Sequence, residues 1–226
     1  MTKLSPITRE RANEAVHAAL RQAILTNTLR QGERLNIAEL ADQLRVSLTP
    51  VRNAVQLLAA EGLIDVRPRS GTFVATITTD DVVETFQIRS ALEVLAAELA
   101  CAMISTQQID DMRQCLRALA RPVRTVADRQ QHERDNAELH MVMVVASRNA
   151  RLLEAYNRLN AHIQIARVHA EDAEWRDRLR DERLEHDEIV DALEARHAER
   201  AVRAVRVHLD RACHALTRGI DSRLVS

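Results

Sequence analysis

The chain contains few glycine, proline, cysteine and aromatic residues. Of its 226 residues, four are glycine, four are proline and only 2% are aromatic. With 46% apolar residues, this composition indicates a compact, mainly helical protein. The three cysteines are odd in number and widely spaced, which argues against a disulfide framework or a metal knuckle and favours reduced packing residues. There is no signal peptide and no apolar run of transmembrane length, so we expect a soluble, cytoplasmic protein with no membrane partner.

Charge is nearly balanced overall but unevenly distributed. The net charge of −1 by itself gives no indication of a nucleic-acid partner. Residues 1–78, however, hold ten Lys and Arg against seven Asp and Glu, whereas the remainder holds 22 against 26. The length allows two modest domains. The small basic excess therefore lies in the first of them, where a nucleic acid would bind.

The most informative segment is 35–74, which predicts a short helix, a tight turn, a second helix and a hairpin. Ser47 is a good N-cap for the second helix, because its hydroxyl can accept a free amide proton of the first turn. Pro50 lies in that turn, where its missing N–H costs nothing. Apolar residues at helical spacing are expected to face the core: Val51, Val55 and Leu58.

The opposite face of this second helix is predicted to meet solvent, as the recognition helix of a DNA-binding protein does before it enters the major groove. Its members are Leu48, Thr49, Arg52, Asn53 and Gln56. Thr49 and Arg52 can bond phosphates or base edges, and an arginine can hold guanine with two hydrogen bonds. Together with Ser47, this face is the candidate DNA-contacting surface of the helix.

Two strand-like runs follow and are joined by a turn at 68–71, in which Gly71 is free to take a positive φ. The runs cover 63–67 and 72–76. Arg67 and Arg69 are expected to project from this hairpin toward phosphates or a minor groove. The order of cap, proline, arginine and hairpin predicts a winged helix-turn-helix with double-stranded DNA as its partner. The alternative is a small helical domain with a surface hairpin.

These residues resemble the GntR family of bacterial transcription regulators. The matching positions are Leu40-Ala41, Leu44, Val46-Ser47, Thr49-Pro50-Val51-Arg52, Ala54, Glu61-Gly62-Leu63 and Gly71-Thr72-Phe73-Val74. The match is specific and covers roughly residues 10–76. The resemblance implies a homodimer that binds a two-fold, palindromic operator.

Three positions depart from the family pattern. Arg45 replaces the usual turn glycine, so we expect a turn built without a residue that requires positive φ. Leu48 and Ala38 stand where many members carry DNA-contacting arginines, which leaves Arg52 as the one arginine of the recognition helix. Leu48 can instead contact a thymine methyl group. The operator is therefore expected to differ from those of close relatives, or to be bound more weakly.

The rest of the chain is almost free of strand signals. Thr78 with Asp81, and Ser105 with Gln108, resemble helix capping boxes. Helical periodicity is predicted at 82–103, 106–120, 128–147, 150–169, 177–196 and 198–217. A proline is expected to end or kink one helix and a glycine to end the last: Pro122 and Gly219.

We therefore predict a mainly α fold with two domains. Residues 1–77 form an N-terminal winged helix-turn-helix, and residues 78–226 form a C-terminal all-α antiparallel helical bundle with a central cavity.

Three of the nine histidines lie on or beside the apolar stripes of separate helices: His140, His186 and His208. Asn136 shares a helix face with His140. From spacing alone this is weak evidence for a metal site. However, the order of these residues resembles the FCD effector domain of the FadR subfamily, over roughly residues 80–217. That resemblance implies a divalent metal, zinc or nickel before others, held by three histidines and one oxygen ligand.

Two substitutions alter the FCD pattern. The oxygen ligand is often aspartate, whereas the matching residue here is Asn136, with Asp135 beside it and facing elsewhere. Asparagine offers a neutral carbonyl oxygen, so a metal is expected to bind with less charge compensation. Arg148 replaces the usual glycine after Ser147, which affects only the local turn.

Arg89 matches an arginine that lines the effector pocket in the family, where it would hold a carboxylate opposite the metal. The alternative is an intrahelical pair with Glu93 at i+4. The first reading implies a small organic acid as effector, which would shift the geometry or spacing of two DNA-binding heads.

Two other functional classes remain open from the sequence. A metalloenzyme would use the histidine site to activate water, although no clear general base stands beside it. An architectural DNA-binding protein would carry a purely structural metal. We expect a regulator and not an enzyme, because the DNA-binding head has no role in catalysis.

Overall fold

The computed structural model describes residues 9–168 and 172–224. Within these ranges the helices are α1 (Arg9–Leu25), α2 (Ile37–Leu44), α3 (Leu48–Ala60), α4 (Thr79–Met103), α5 (Thr106–Leu119), α6 (Val126–Ala146), α7 (Ala150–Val168), α8 (Asp172–Glu194) and α9 (Ala198–Leu224). The strands are β1 (Arg34–Leu35), β2 (Ile64–Arg67) and β3 (Gly71–Val74). The chain divides into two compact units, Met1–Ile77 and Thr78–Ser226. The predicted fold class, mainly α with a winged helix-turn-helix and a helical bundle, is confirmed.

The first unit packs α1, α2 and α3 beside a small antiparallel sheet of order β1-β3-β2. In the sheet, Ile64 pairs with Val74 and Leu35 pairs with Thr72. All three helices and the sheet contribute buried apolar residues, among them Val16, Leu20, Ile24, Leu40, Ala41, Val51, Val55, Leu58, Ile64 and Val74, and Leu63 is buried just before β2. The predicted inner face of the second helix is thus confirmed. Strand β1 was not predicted, because two residues are too few to show an alternating pattern.

The turn between α2 and α3 differs from the sequence prediction at two residues, Arg45 and Ser47. Arg45 lies in the left-handed region at φ 53°, and its backbone N–H donates to the carbonyl of Asp42. The expectation of a turn without positive φ was wrong: the turn keeps the geometry that glycine adopts freely, and arginine bears a strain of about 1–2 kcal/mol. Ser47 occupies the N-cap with extended backbone, but its hydroxyl makes no capping hydrogen bond.

The second unit is built around α4, which packs against α6, α7, α8 and α9. The capping boxes of Thr78 and Ser105 are both confirmed. A third box, formed by Thr125 with Asp128, starts α6 two residues before the predicted position. Among the described residues no helix is long and apolar enough to cross a membrane.

The other predicted helix ends have different outcomes. Helix α5 ends at Leu119, before Pro122, as predicted. Helix α9 does not end at Gly219 but continues to Leu224, because a glycine costs only about 1 kcal/mol inside a helix. The predicted end of α7 at residue 169 lies outside the described residues, which reach Val168.

Arg196, at the turn between α8 and α9, is a side-chain cap for the end of α4. Its guanidinium donates to the carbonyls of Cys101 (3.0 Å), Ala102 (3.1 Å) and Ile104 (2.7 Å). We expect Arg196→Ala to lower the free energy of unfolding by about 1–3 kcal/mol, since it leaves these carbonyls without a charged donor. Urea unfolding measures the change. Arg203→Ala is the control, because Arg203 is exposed and its ion pair with Glu199 on α9 is long, at 3.7 Å; an equal effect of both variants would contradict the capping role.

Candidate metal centre and nucleic-acid interface

Three imidazole side chains from three helices meet inside the second unit. His140 on α6, His186 on α8 and His208 on α9 are all buried, and one ring nitrogen of each lies within 4.8 Å of the others. The Nε2 atoms of His140 and His186 are 3.3 Å apart. The structure therefore brings together the three histidines that the sequence predicted as ligands.

Two carboxylates orient these rings. Glu93 Oε2 lies 2.7 Å from His140 Nδ1, and Glu185 Oε2 lies 3.1 Å from His208 Nδ1. An ionised carboxylate only accepts hydrogen bonds, so wherever the acid is ionised Nδ1 of the ring donates and Nε2 carries the lone pair. Carboxylate–histidine pairs of this kind are the usual support of metal-binding imidazoles.

The geometry fits a small divalent ion. Two imidazole nitrogens bound to one tetrahedral zinc at their normal bond length are about 3.3–3.4 Å apart, and the His140–His186 separation is 3.3 Å. Three imidazoles suit zinc or nickel.

Asn136 lies one turn before His140 on the same face of α6 and is fully buried. Its Nδ2 donates a short hydrogen bond to Glu182 of α8. Its Oδ1 has no hydrogen-bond partner among the described residues. Asp135, the other candidate oxygen ligand, instead accepts from Gln131 at 2.8 Å on the outer side of α6. The free amide oxygen makes Asn136 the better candidate.

Arg89 and Glu93 form a buried ion pair one turn apart on α4. Arg89 Nε donates to Glu93 Oε1 at 2.6 Å, so the alternative reading of Arg89, an intrahelical pair, is found in the structure. The Nη1 atom of the same guanidinium is buried with no hydrogen-bond partner among the described residues. One end of Arg89 is thus used by Glu93, and the other end has an unused donor that a carboxylate can accept.

Glu93 is the node of this network. It accepts from Arg89, from His140 and, at 3.1 Å, from the hydroxyl of Tyr156. Burial by itself would raise the pKa of Glu93, but the charges of Arg89 and His140 and their hydrogen bonds outweigh it and hold that pKa well below its usual range. The carboxylate is therefore ionised and links α4, α6 and α7.

The pKa of Glu185 is shifted in the opposite direction from that of Glu93. Burial raises the pKa of Glu185 to about 7, against the opposing charge of Arg211, whose Nε lies 2.8 Å from Glu185 Oε1.

The sequence analysis missed four residues that contact the candidate site or its supports: Glu93 as a histidine partner, Tyr156, Glu182 and Glu185. Each of them contacts a residue on a different helix, and the sequence pattern of a single helix does not reveal such a contact. A signal existed only for Glu182, which precedes His186 by four residues just as Asn136 precedes His140.

In the first unit, the predicted recognition face of α3 is exposed. Arg52, Thr49 and Gln56 are exposed, Asn53 is half-buried, and Leu48 is 42% exposed. Arg52 makes no hydrogen bond or ion pair with the described residues. Its guanidinium is therefore available to a phosphate or a guanine edge.

The hairpin side chains differ in how freely they can reach DNA. Arg67 donates to Asp65 at 3.2 Å and lies 4.7 Å from the centre of the Phe73 ring, so it is partly held along the sheet. Arg69 is exposed, at φ 65°. Gly71 takes the predicted positive φ, at 127°, and a Cβ there would lie 3.0 Å from Arg34 Nε. Arg34 is thus a further basic side chain at the hairpin, which the sequence analysis missed.

Each of the two units matches a known protein family. Residues 12–74 match the family model described as bacterial regulatory proteins, gntR family, and residues 84–211 match the FCD domain model. A probable D-xylose utilization operon transcriptional repressor from Paenarthrobacter nicotinovorans is 34% identical over 90% of this chain and 88% of its own. The HTH-type transcriptional regulator YdhC of Bacillus subtilis is 28% identical over 87% of both chains.

Solved structures agree in fold. A putative GntR transcriptional regulator from Rhodococcus sp. RHA1 superposes with a TM-score of 0.74 at 23% identity, over 90% of this chain and 96% of its own.

Proposed function

Because the chain belongs to the GntR family of bacterial transcriptional regulators and carries an FCD domain, we propose that it is a metal-dependent metabolite sensor. In this proposal a homodimer binds a palindromic operator through α3 and the hairpin. The bundle binds one divalent ion and a small carboxylic acid, and the acid changes the affinity for DNA.

The observation that carries the sensor role is the convergence of His140, His186 and His208 in a buried site with two carboxylate supports. The residues that would hold the ion are these three histidines and Asn136. A bound divalent ion would supply positive charge with coordination positions left for an anion. On the protein side, Glu93 and Glu185 keep His140 and His208 turned toward it.

Arg89 is the proposed second contact of the effector. Its free Nη1 offers a donor in a region that excludes water, and a guanidinium in such a region binds a carboxylate strongly. A carboxylate held by the ion on one side and by Arg89 on the other gives the chemical class of the effector: a small organic acid.

On the DNA side, the proposed contacts are Ser47, Leu48, Thr49, Arg52 and Gln56 of the helix, and Arg67, Arg69 and Gly71 of the hairpin. All of them except the half-buried Gly71 are exposed, which supports this role. A relative that is named as a repressor supports repression as the direction of control.

A thermal-shift experiment tests the proposal. Metal-loaded protein is melted with acetate, lactate, succinate and citrate, and chelator-treated protein is melted in parallel. We expect at least one acid to stabilise the loaded protein by about 2.7 kcal/mol at a hundredfold excess over its dissociation constant, and to have no effect on the metal-free protein. Arg89→Lys should abolish the stabilisation, because one ammonium cannot serve both Glu93 and an effector.

The remaining outcomes distinguish other functions. Turnover of an acid by the loaded protein would indicate a metalloenzyme. Metal binding without a response to any acid, in a protein that still binds DNA, would indicate an architectural protein with a structural metal. Either result would contradict the sensor.

A further inference from the structure

The amide of Asn136 is held in one orientation by its neighbour on α8. Glu182 can only accept a hydrogen bond, so the atom of Asn136 that faces it must be the nitrogen. The oxygen therefore lies at the other end of the amide. This oxygen is buried and has no hydrogen-bond partner among the described residues. Such a group is costly to leave unsatisfied, by about 1–3 kcal/mol, which points to a ligand.

The pair is placed directly alongside two of the three imidazoles. Asn136 precedes His140 by four residues on α6, and Glu182 precedes His186 by four residues on α8. Side chains four residues apart share a helix face. The Asn136–Glu182 hydrogen bond thus joins the same two helices as the contact between His140 and His186, one turn closer to the N-terminus of each helix.

The candidate ligands themselves carry no negative charge. Three neutral imidazoles and an amide oxygen would leave the two positive charges of the ion uncompensated, since Glu93 is already paired with Arg89 and Glu185 with Arg211. Glu182 is half-buried, and its charge is felt by Arg89. Burial by itself would lower the pKa of Arg89, but the charges of Glu93 and Glu182 both help to raise it. Glu182 is therefore a third carboxylate beside the site, and it is not one of the two that support the imidazoles.

We propose that Glu182 is a positioning residue of the metal centre, which turns Asn136 Oδ1 toward the ion and supplies the negative charge that a coordinating aspartate would supply alone. In this arrangement Asn136 provides the ligand oxygen, and Glu182 orients the amide and compensates part of the charge of the ion. This inference rests on the proposed metal centre and assigns a residue that the three-histidine set does not include.

An exchange of the two groups tests the proposal. Zinc affinity of the full-length protein is measured by competition with a chromophoric chelator. Glu182→Gln should weaken zinc binding by about tenfold to a hundredfold, as expected for loss of a residue that supports a ligand. The double variant Asn136→Asp/Glu182→Gln restores the charge and the hydrogen bond with the roles reversed, and it should bind zinc at least as tightly as the wild type.

The control is Glu188→Gln, on the same helix, since Glu188 pairs with Arg200, and among the described residues no hydrogen bond or ion pair joins it to a histidine. Its zinc affinity should equal that of the wild type. The melting temperature of each metal-free variant is also measured. If Glu182→Gln alone fails to fold, the double variant, which keeps the charge and the hydrogen bond, still decides the question.

The outcomes separate this inference from the proposed function. A wild-type protein that binds no zinc overturns both. A wild type that binds zinc tightly while Glu182→Gln binds it equally well overturns only the role of Glu182. A double variant that binds no better than Glu182→Gln shows that the amide oxygen is not turned toward the ion, and it overturns the proposal as well.

Discussion

Replacement of His140, His186 and His208 together by alanine is expected to reduce the metal content of the protein from near-stoichiometric to background. The three rings are the only imidazoles of the described residues that form such a cluster, and an amide oxygen alone does not retain a divalent ion. Metal content after dialysis, measured by inductively coupled plasma mass spectrometry, gives the result directly.

His214→Ala is the matched control, because His214 lies on α9 like His208 but is exposed. It should retain the metal content of the wild type. Circular dichroism establishes that the triple variant is folded. If the folded triple variant kept its metal, the ion would have to bind elsewhere, and the proposed centre would be wrong.

Replacement of Arg52 by alanine is expected to abolish specific operator binding. A bidentate contact between arginine and guanine contributes about 1–3 kcal/mol of discrimination. A dimer loses it in both half-sites, so the expected loss is about 2–6 kcal/mol, or roughly 30-fold to more than 10⁴-fold in affinity. Arg52 also has no role inside the described protein that would confuse the result. Gel-shift titration on a duplex selected from a random library measures the change.

The charge-matched control is Arg206→Ala, which removes one exposed positive charge from the second unit. It should bind the selected duplex with nearly wild-type affinity. An Arg52→Ala variant that bound as tightly as this control would refute the docking of α3 in the major groove.

Local signals account for the part of the fold that the sequence predicted correctly. Thr78 and Ser105 mark helix starts because a cap and its reciprocal partner lie within one turn. Where the expectation was wrong, tertiary structure overrode a local preference. Arg45 adopts the left-handed conformation because α2 and α3 fix the turn between them, and Gly219 does not end α9, whose length stabilises it.

The sequence analysis selected the three histidines that converge in the candidate metal centre, but it did not identify the carboxylates that contact them. The histidines could be identified because their order resembles a known family pattern. Their carboxylate partners are separated from them by 23 to 47 residues in the chain, and only the packing of the helices determines which acid faces which ring. The same applies to Glu182, whose contact with Asn136 spans 46 residues.

Glu93 has a consequence for the way this sequence can change during evolution. Its carboxylate is shared by a guanidinium, an imidazole and a phenol from three helices. Loss of the carboxylate would leave all three donors buried without their acceptor, and loss of any one donor would weaken the balance that keeps the carboxylate charged. A substitution of Glu93 alone is therefore expected to be destabilising. We therefore expect natural variants that lose the acid to carry compensating changes at Arg89, His140 and Tyr156 as well.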